Sequence, residues 1–492
     1  MNYQIWVSII IYMVFMLLIG FWSYKRTQNL SDYMLGGRKL GPAVTALSAG
    51  ASDMSGWMLM GLPGAMYATG LSSMWISVGL VIGAYLNYIF LAPRLRTYTE
   101  VANNSITIPD YLENRFHDKT KLIRLVSATI IFIFFTLYAS AGLVSGGRLF
   151  ESAFGLHYQT GLLLTAGIVV IYTLFGGFLA VSWTDFFQGI IMFIALVLVP
   201  VVAFTSVGDG ATVVNEIKSV DPLLLDAFQG TTVIGILSFL AWGLGYFGQP
   251  HIIVRFMAIS DVKELKAARR IGIGWMAIGV TGAMLTGLIG VAYYHQNNMT
   301  IDDPETIFIM FANLLFHPYI TGFLYAAILA AIMSTISSQL LVTSSAMTQD
   351  FYRTFKKRTA RDRELVFIGR LSVLIVAIIA IFLSLNPNDT ILGLVGYAWA
   401  GFGSAFGPAI LLSLYWKRMT RWGAFAGMLV GATTVLIWSN ITPLKEFMYE
   451  MIPGFTLSFI AIILVSLFTQ EKQSELNEKI QATFEQVEKK IK

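Results

Sequence analysis

Cysteine is absent from all 492 residues, which removes disulfides, thiolate metal sites and cysteine nucleophiles and leaves the redox compartment open. Histidine is scarce, with five scattered residues and no H-E-x-x-H pair, and no G-x-S-x-G elbow occurs. A zinc hydrolase or a serine hydrolase therefore has no motif to rest on. Charge is also thin: Asp, Glu, Lys and Arg make up 12% of the chain, against roughly a quarter in a soluble domain. Nothing of that composition can clothe a detachable soluble domain. The net charge of +5 is too small to argue for nucleic-acid binding, so the placement of the charges matters more than their sum.

What the chain has instead is apolar length. Hydrophobic residues account for 56% and mean hydropathy is +0.68. Apolar runs long enough to cross a bilayer recur from end to end, which predicts an all-α integral membrane protein. Gln4 to Tyr24 opens the series without the basic stretch of a cleaved leader, so we read it as a span. Further spans are expected at 43–69, 73–91, 122–149, 160–179, 185–207, 231–255, 271–294, 321–349, 366–385, 390–416, 422–440 and 454–469, about thirteen in all. With the N-terminus outside, one face collects every Lys and Arg except Arg148, Lys218 and Lys445, including the cluster from Arg255 to Arg270. The opposite face carries Asp209, Glu216, Asp221, Asp226, Asp302, Asp303 and Glu305. By the positive-inside rule this predicts a multi-pass protein of the plasma membrane with an external N-terminus and a cytoplasmic C-terminus.

Two of these spans are interrupted. The first holds Ser48-Ala49-Gly50-Ala51-Ser52-Asp53-Met54-Ser55-Gly56-Trp57, where a carboxylate, hydroxyls and glycines stand where lipid would favour Leu and Ile. A charge at that depth costs at least ~2.5–3.5 kcal/mol on insertion scales, so Asp53 is expected to face a cavity or a partner. The second holds Ala241-Trp242-Gly243-Leu244-Gly245-Tyr246-Phe247-Gly248-Gln249-Pro250-His251. Its G-x-G-x-x-G string is not a dinucleotide fingerprint, because no strand precedes it. Glycine and proline here break a helix, and bare backbone at membrane depth survives only beside protein or a wet cavity. If the first span is peripheral, residues 43–207 and 231–417 form two five-helix halves of opposite orientation, each opening with a broken helix. That pattern points to an inverted-repeat transporter with a midplane site. Residues 1–42 would precede the core, 208–230 would form an external loop, 418–469 would add two peripheral spans, and 470–492 would be a cytoplasmic tail.

Helix nine adds a polar stripe, with Ser334, Thr335, Ser337, Ser338, Thr343, Ser344, Ser345 and Thr348 in an apolar setting. Hydroxyls suit a hard monovalent cation, but for the stripe as a whole we expect packing between membrane helices. The tail repeats Leu476, Ile480, Phe484, Val487 and Ile491 at helical spacing; we expect a solvated amphipathic helix rather than a membrane or partner contact. Asp185 has two readings, a cap opening span six or an intramembrane functional carboxylate. Tyr138 likewise reads as filler in an aromatic-rich chain or as a ligand. An intramembrane enzyme using Asp53 and Asp185 lacks any supporting motif, and a channel accounts less well for paired broken helices. A carrier, not an enzyme, is expected.

Five stretches carry a likeness to a known family: TALSAGASDMSGWMLMGLPGA from Thr45, GGFLAVSWTDFFQ from Gly176, WGLGYFGQPHIIVRFMA from Trp242, LAAIMSTISSQLLV from Leu329 and GLVGYAWAGFGSAFGP from Gly393. In these the chain resembles the sodium:solute symporter family, and the likeness spans nearly the whole membrane portion. The resemblance implies a five-plus-five inverted-repeat (LeuT-type) core with one helix before it and two after. It implies sodium as the coupling ion, no other cofactor, and L-proline as the solute, with another small solute (amino acid, osmolyte or pantothenate) or another coupling cation as alternatives. The implied sodium ligands are the carbonyls of Ala51, Met54 and Ala331 and the hydroxyls of Ser334 and Thr335. The implied substrate pocket comprises Ser55, Gly56, Trp57, Tyr138, Trp242, Tyr246, Phe247, Gln249 and Pro250, while Asp53 and Asp185 act electrostatically on the ion pathway. No protein or nucleic-acid partner is implied; the partners are solute, ion and lipid bilayer.

Overall fold

A computed structural model describes all residues except 1, 25–33, 176, 229–230, 356–361, 471–473 and 492. Among the described residues the chain is helical throughout, with one isolated bridge between Leu40 and Ile259. Among the described residues ten helices are long and apolar enough to cross a bilayer, or eleven if the bent pair Val233–Gly248 and Pro250–Ala258 counts as one span.

One apolar run, Trp57–Val101, is 45 residues long, yet it is not a single rod. At Gly70 the backbone enters the left-handed region (φ +64°), where glycine carries no Cβ penalty. Gly70–Ser73 then forms a tight turn before Met74–Leu86 continues. The partners of the two arms give their directions. Tyr67 meets Tyr294 edge-on at 6.1 Å, near the end of the helix Leu265–Gln296, whereas Tyr88 lies beside Gly272, near its start. The arms are antiparallel.

Burial sorts core from rim. The most apolar window of the helical stretch Pro318–Tyr352 is 89% buried, against 17% for Tyr3–Trp22. The polar stripe of that helix therefore faces protein on every side, and the first helix shows Ile10, Ile11, Leu18 and Phe21 to lipid. Pro318–Ser345 packs against Tyr3–Tyr24, Leu122–Phe154 and Phe178–Val207, while Leu265–Gln296 runs along the first broken helix. Close approach of backbones needs small residues. A Cβ on Gly83 would lie 2.2 Å from the carbonyl oxygen of Gly243, so glycine at 83 is what lets the second broken segment nest against Met74–Leu86.

Three expectations are corrected. The boundary placed between 179 and 185 lies earlier, since one helix ends at Phe175 and the next is Phe178–Val207; Asp185 is thus an interior residue and the cap position belongs to Gly177. Arg255, assigned to a basic loop, sits fully buried inside the half-helix Pro250–Ala258. The tail helix Ser474–Ile491 is not solvated on its apolar side: Ile480, Phe484 and Val487 are buried. Phe484 packs edge-on against Tyr98 at 5.6 Å, Arg115 covers its ring at 4.9 Å, and Lys490 pairs with Glu100 at 2.9 Å. The stripe is spent on the bundle itself, which removes apolar area from water without needing a partner.

Candidate functional site

The first interruption begins where Pro42–Asp53 ends. Met54 leaves helical dihedrals (φ −83°, ψ 82°), and helix resumes as a π-type turn at Trp57–Gly61, a geometry that recurs at functional sites. In the second, a tight 3-10 stretch Ala241–Gly248 passes through extended Gln249 into Pro250–Ala258, with a 46° bend. Proline at the first helical position suits that restart, because its missing N–H would have had no partner there.

At the first break, freed backbone oxygens become acceptors. The Ala51 carbonyl receives the Ser334 hydroxyl at 2.7 Å and the Thr335 hydroxyl at 3.4 Å. Ser334 also donates to the Ala331 carbonyl at 3.1 Å. Four of the five oxygens named as sodium ligands thus converge, and the fifth belongs to Met54, which begins the unwound stretch. The Asp53 carbonyl is used in the same way: Trp57 Nε1 donates to it at 3.1 Å and Tyr138 at 3.3 Å. Trp57 and Tyr138 therefore clamp the break as well as lining it.

Tyr246, from the second break, donates to Asp53 Oδ2, so one hydrogen bond ties the two interruptions together. Among the described residues Asp53 Oδ1 has no hydrogen-bond partner, and neither do Asn87 Oδ1 and Tyr88 OH. All three residues line one cavity of about 30 Å³ beside Tyr246 and Met276. That volume takes a single water-sized group with polar neighbours; it is far too small for an amino acid. Asn87 opens a second π-type segment, Asn87–Leu91. The sequence reading missed both Asn87 and Tyr88, though an amide inside the run from 73 to 91 was a visible signal.

The remaining pocket residues are packed shut. Gln249 Nε2 donates to the Trp399 carbonyl at 3.0 Å, and Trp399 Nε1 donates to the Trp242 carbonyl at 2.8 Å. Tyr246 meets Trp399 edge-on at 5.0 Å. Trp242 stacks on Tyr449 at 5.5 Å, and both line a cavity of about 550 Å³. Phe247 is buried, as are Ser55 and Gly56. Gly56 lies so near Ser145 that a Cβ would clash at 2.5 Å. Pro250 instead faces a separate small cavity with Phe178 and Val254, away from Asp53.

Asp185 joins a different cluster. Its Oδ2 accepts from Ser48 at 2.9 Å, from Arg255 Nη2 at 3.1 Å and from Ser338 at 3.3 Å, and Arg255 also reaches both hydroxyls. Both charged side chains are fully buried. The sequence reading did not join Arg255, Ser48 and Ser338 to Asp185. An arginine flanked on both sides by apolar residues, in HIIVRFMAI, was the available signal. Elsewhere the stripe serves packing, since Ser344 and Thr348 face Gly369.

A family model for the "Sodium:solute symporter family" matches residues 33–431. This chain belongs to the sodium:solute symporter family. The symporter is 66% identical over 455 residues to the high-affinity proline transporter PutP of Bacillus subtilis (strain 168), covering 92% of this chain and 96% of the relative. It is 66% identical over 471 residues to the osmoregulated proline transporter OpuE of the same organism, covering 96% of each. It is 56% identical over 483 residues to the sodium/proline symporter 2 of Staphylococcus saprophyticus, covering 96% and 94%. Among solved structures, a Na+-coupled sialic acid symporter in a substrate-bound outward-open state superposes with TM-score 0.80 at 20% identity, covering 95% of this chain and 98% of that one. The transporter MhsT in complex with L-phenylalanine gives 0.51 at 13%, covering 86% and 97%. The symporter shares the fold of these multi-pass carriers and is a transporter, not an enzyme.

Proposed function

We propose that this protein is a secondary active transporter of the plasma membrane that couples inward movement of sodium to uptake of L-proline by alternating access. The observation that carries this reading is the convergence of the Ala51 and Ala331 carbonyls with the Ser334 and Thr335 hydroxyls at the break in the first core helix. Neutral oxygens in that number match a hard monovalent cation that must later be released. The names of the relatives at 66% and 56% identity supply the solute.

In this reading sodium binds between the first broken helix and Pro318–Ser345, with Met54 completing the set, and fixes the angle at the break. Asp53 offsets the charge of the ion and of the secondary ammonium of proline, and Asn87 and Tyr88 extend its polar wall. Proline lies among Ser55, Gly56, Trp57, Tyr138, Trp242, Tyr246, Phe247 and Gln249 once the Trp242–Tyr449 stack parts, while Pro250 restarts the half-helix behind them. Its carboxylate meets backbone N–H groups of the broken helices, and aromatic faces receive its ring. Asp185 acts on the ion pathway together with Arg255. The membrane potential contributes ~2.3 kcal/mol per charge per 100 mV to accumulation.

The layout we infer is thirteen spans: the ten long helices, the bent pair, the Gly70 reversal counted as a boundary, and the shorter apolar helix Tyr158–Leu174. Residues 43–207 and 231–417 form the inverted repeats, with 1–42 before them, 208–230 between them, and 418–469 and the tail 470–492 after them. The N-terminus is external, from the basic-loop pattern. Proline uptake into proteoliposomes, with and without an imposed sodium gradient, tests the coupling. Uptake indifferent to sodium would remove it.

A further inference from the structure

On the basic face of the bundle, a cavity of about 300 Å³ is lined by Lys417, Arg418, Thr420, Arg421, His117 and Gln470, with the docked tail helix as one wall. Its floor is the connection from Ile391–Tyr415 to Arg421–Ser439. Among the described residues no carboxylate pairs with Lys417 or Arg418. Arg418 donates to Gln470 at 2.9 Å, and Lys417 lies over the Phe484 ring at 5.7 Å. Arg421 lies 4.0 Å from Asp118, and Asp118 also accepts from the backbone of Thr120 and Ile123. Burial, with Arg115 and Lys479 near, pushes the His117 imidazole below its ordinary value. The cavity is therefore electropositive without its histidine.

Its depth is marked by aromatics. Exposed Tyr415 and Trp422 flank the connection and carry Arg94 and Arg421 over their rings. Tyr and Trp concentrate at headgroup level, where basic pockets between helices hold anionic headgroups. Guanidinium and ammonium donors are matched to phosphate oxygens.

We propose that this cavity is a binding site for a phosphate group at the membrane surface, carried by an anionic phospholipid headgroup or free in solution, and that its occupant fastens the tail helix to the bundle. The test uses the detergent-purified full chain and follows its unfolding midpoint during titration with short-chain phosphatidylglycerol, short-chain phosphatidylcholine or inorganic phosphate. Phosphatidylglycerol should raise the midpoint saturably and phosphatidylcholine should not. The double variant Lys417→Gln/Arg418→Gln should need at least tenfold more phosphatidylglycerol for half the shift, while Lys218→Gln/Lys445→Gln, on the opposite face, should behave as wild type. Competition by millimolar phosphate identifies a soluble ligand; indifference to phosphate identifies the lipid. Equal saturation in the Lys417/Arg418 variant, or an equal loss in the Lys218/Lys445 variant, overturns the site. Should the double variant not fold, Arg418→Gln alone must still weaken the lipid shift at least threefold, or the site falls.

Discussion

Removing one partner of the Asp185–Arg255 pair should destabilise the protein, and removing both together should cost less than the worse of the two singles. Both side chains are fully buried and 3.1 Å apart. Breaking such a pair leaves a charge without compensation, at about 3–5 kcal/mol, whereas replacing the pair as a unit is often near neutral. The two singles are not equivalent. With Arg255→Gln, Asp185 keeps hydroxyl donors from Ser48 and Ser338 and can escape its charge by taking a proton. With Asp185→Asn, Arg255 retains Ser48, Ser338 and the His251 carbonyl, but a guanidinium does not give up its proton. Asp185→Asn should be the worse. Unfolding entropy of about 2.1 cal/mol/K per residue over 492 residues comes to roughly 1 kcal/mol/K, so the predicted fall in unfolding midpoint is about 3–5 °C. The assay is thermal unfolding of purified single and double variants, completed as a double-mutant cycle. Singles that unfold within about 1 °C of wild type, or effects that merely add in the double, would refute the reasoning.

Other outcomes follow from the same geometry. Ser334→Ala removes a hydroxyl aimed at the Ala51 carbonyl; if its oxygen ligates sodium, losing that ion–dipole contact should cost about as much as a hydrogen bond to a charged group, about 1.5–3 kcal/mol, so half-saturation of uptake by sodium should rise about 10- to 150-fold. Ser337→Ala, whose hydroxyl only returns to its own helix at Ser334, should change it less than about threefold. Asp53→Asn keeps an acceptor for Tyr246 but not the charge, and should abolish sodium-dependent uptake in proteoliposomes. Gly83→Ala would force a methyl to 2.2 Å from the Gly243 oxygen and should cost about 1–3 kcal/mol, read as a lower midpoint at normal expression. Phe484→Ala removes a buried ring, at up to about 3–5 kcal/mol, and should release the tail, seen as cleavage near residue 484 at protease levels that spare wild type.

Membrane character and the two interruptions were legible because bilayers penalise polar atoms so heavily that Asp53, or glycines in mid-span, cannot be noise. Family motifs supplied the Ser334-Thr335 pair, which hydroxyl chemistry alone would have assigned to packing. Arg255 was misplaced because the positive-inside pattern treats every basic residue near a span end as a loop residue. Its partner lies 70 residues away, and no local pattern joins them. The tail was misread for a related reason: amphipathic spacing says that a face will be covered, not what covers it. Asn87 and Tyr88 matter only because three helices bring them to the same small space as Asp53.

The Trp242–Tyr449 stack has a bearing on the last two helices. Tyr449 belongs to the short link before Met451–Phe468, and its hydroxyl is pinned to the Gly396 carbonyl at 2.7 Å. In the transport reading proposed above, a solute entering from the cavity that Trp242 and Tyr449 line would have to displace this link to pass Trp242. On that reading the C-terminal hairpin is the part that would have to give way, and stiffening it should slow admission of solute without touching Ser334 or Thr335.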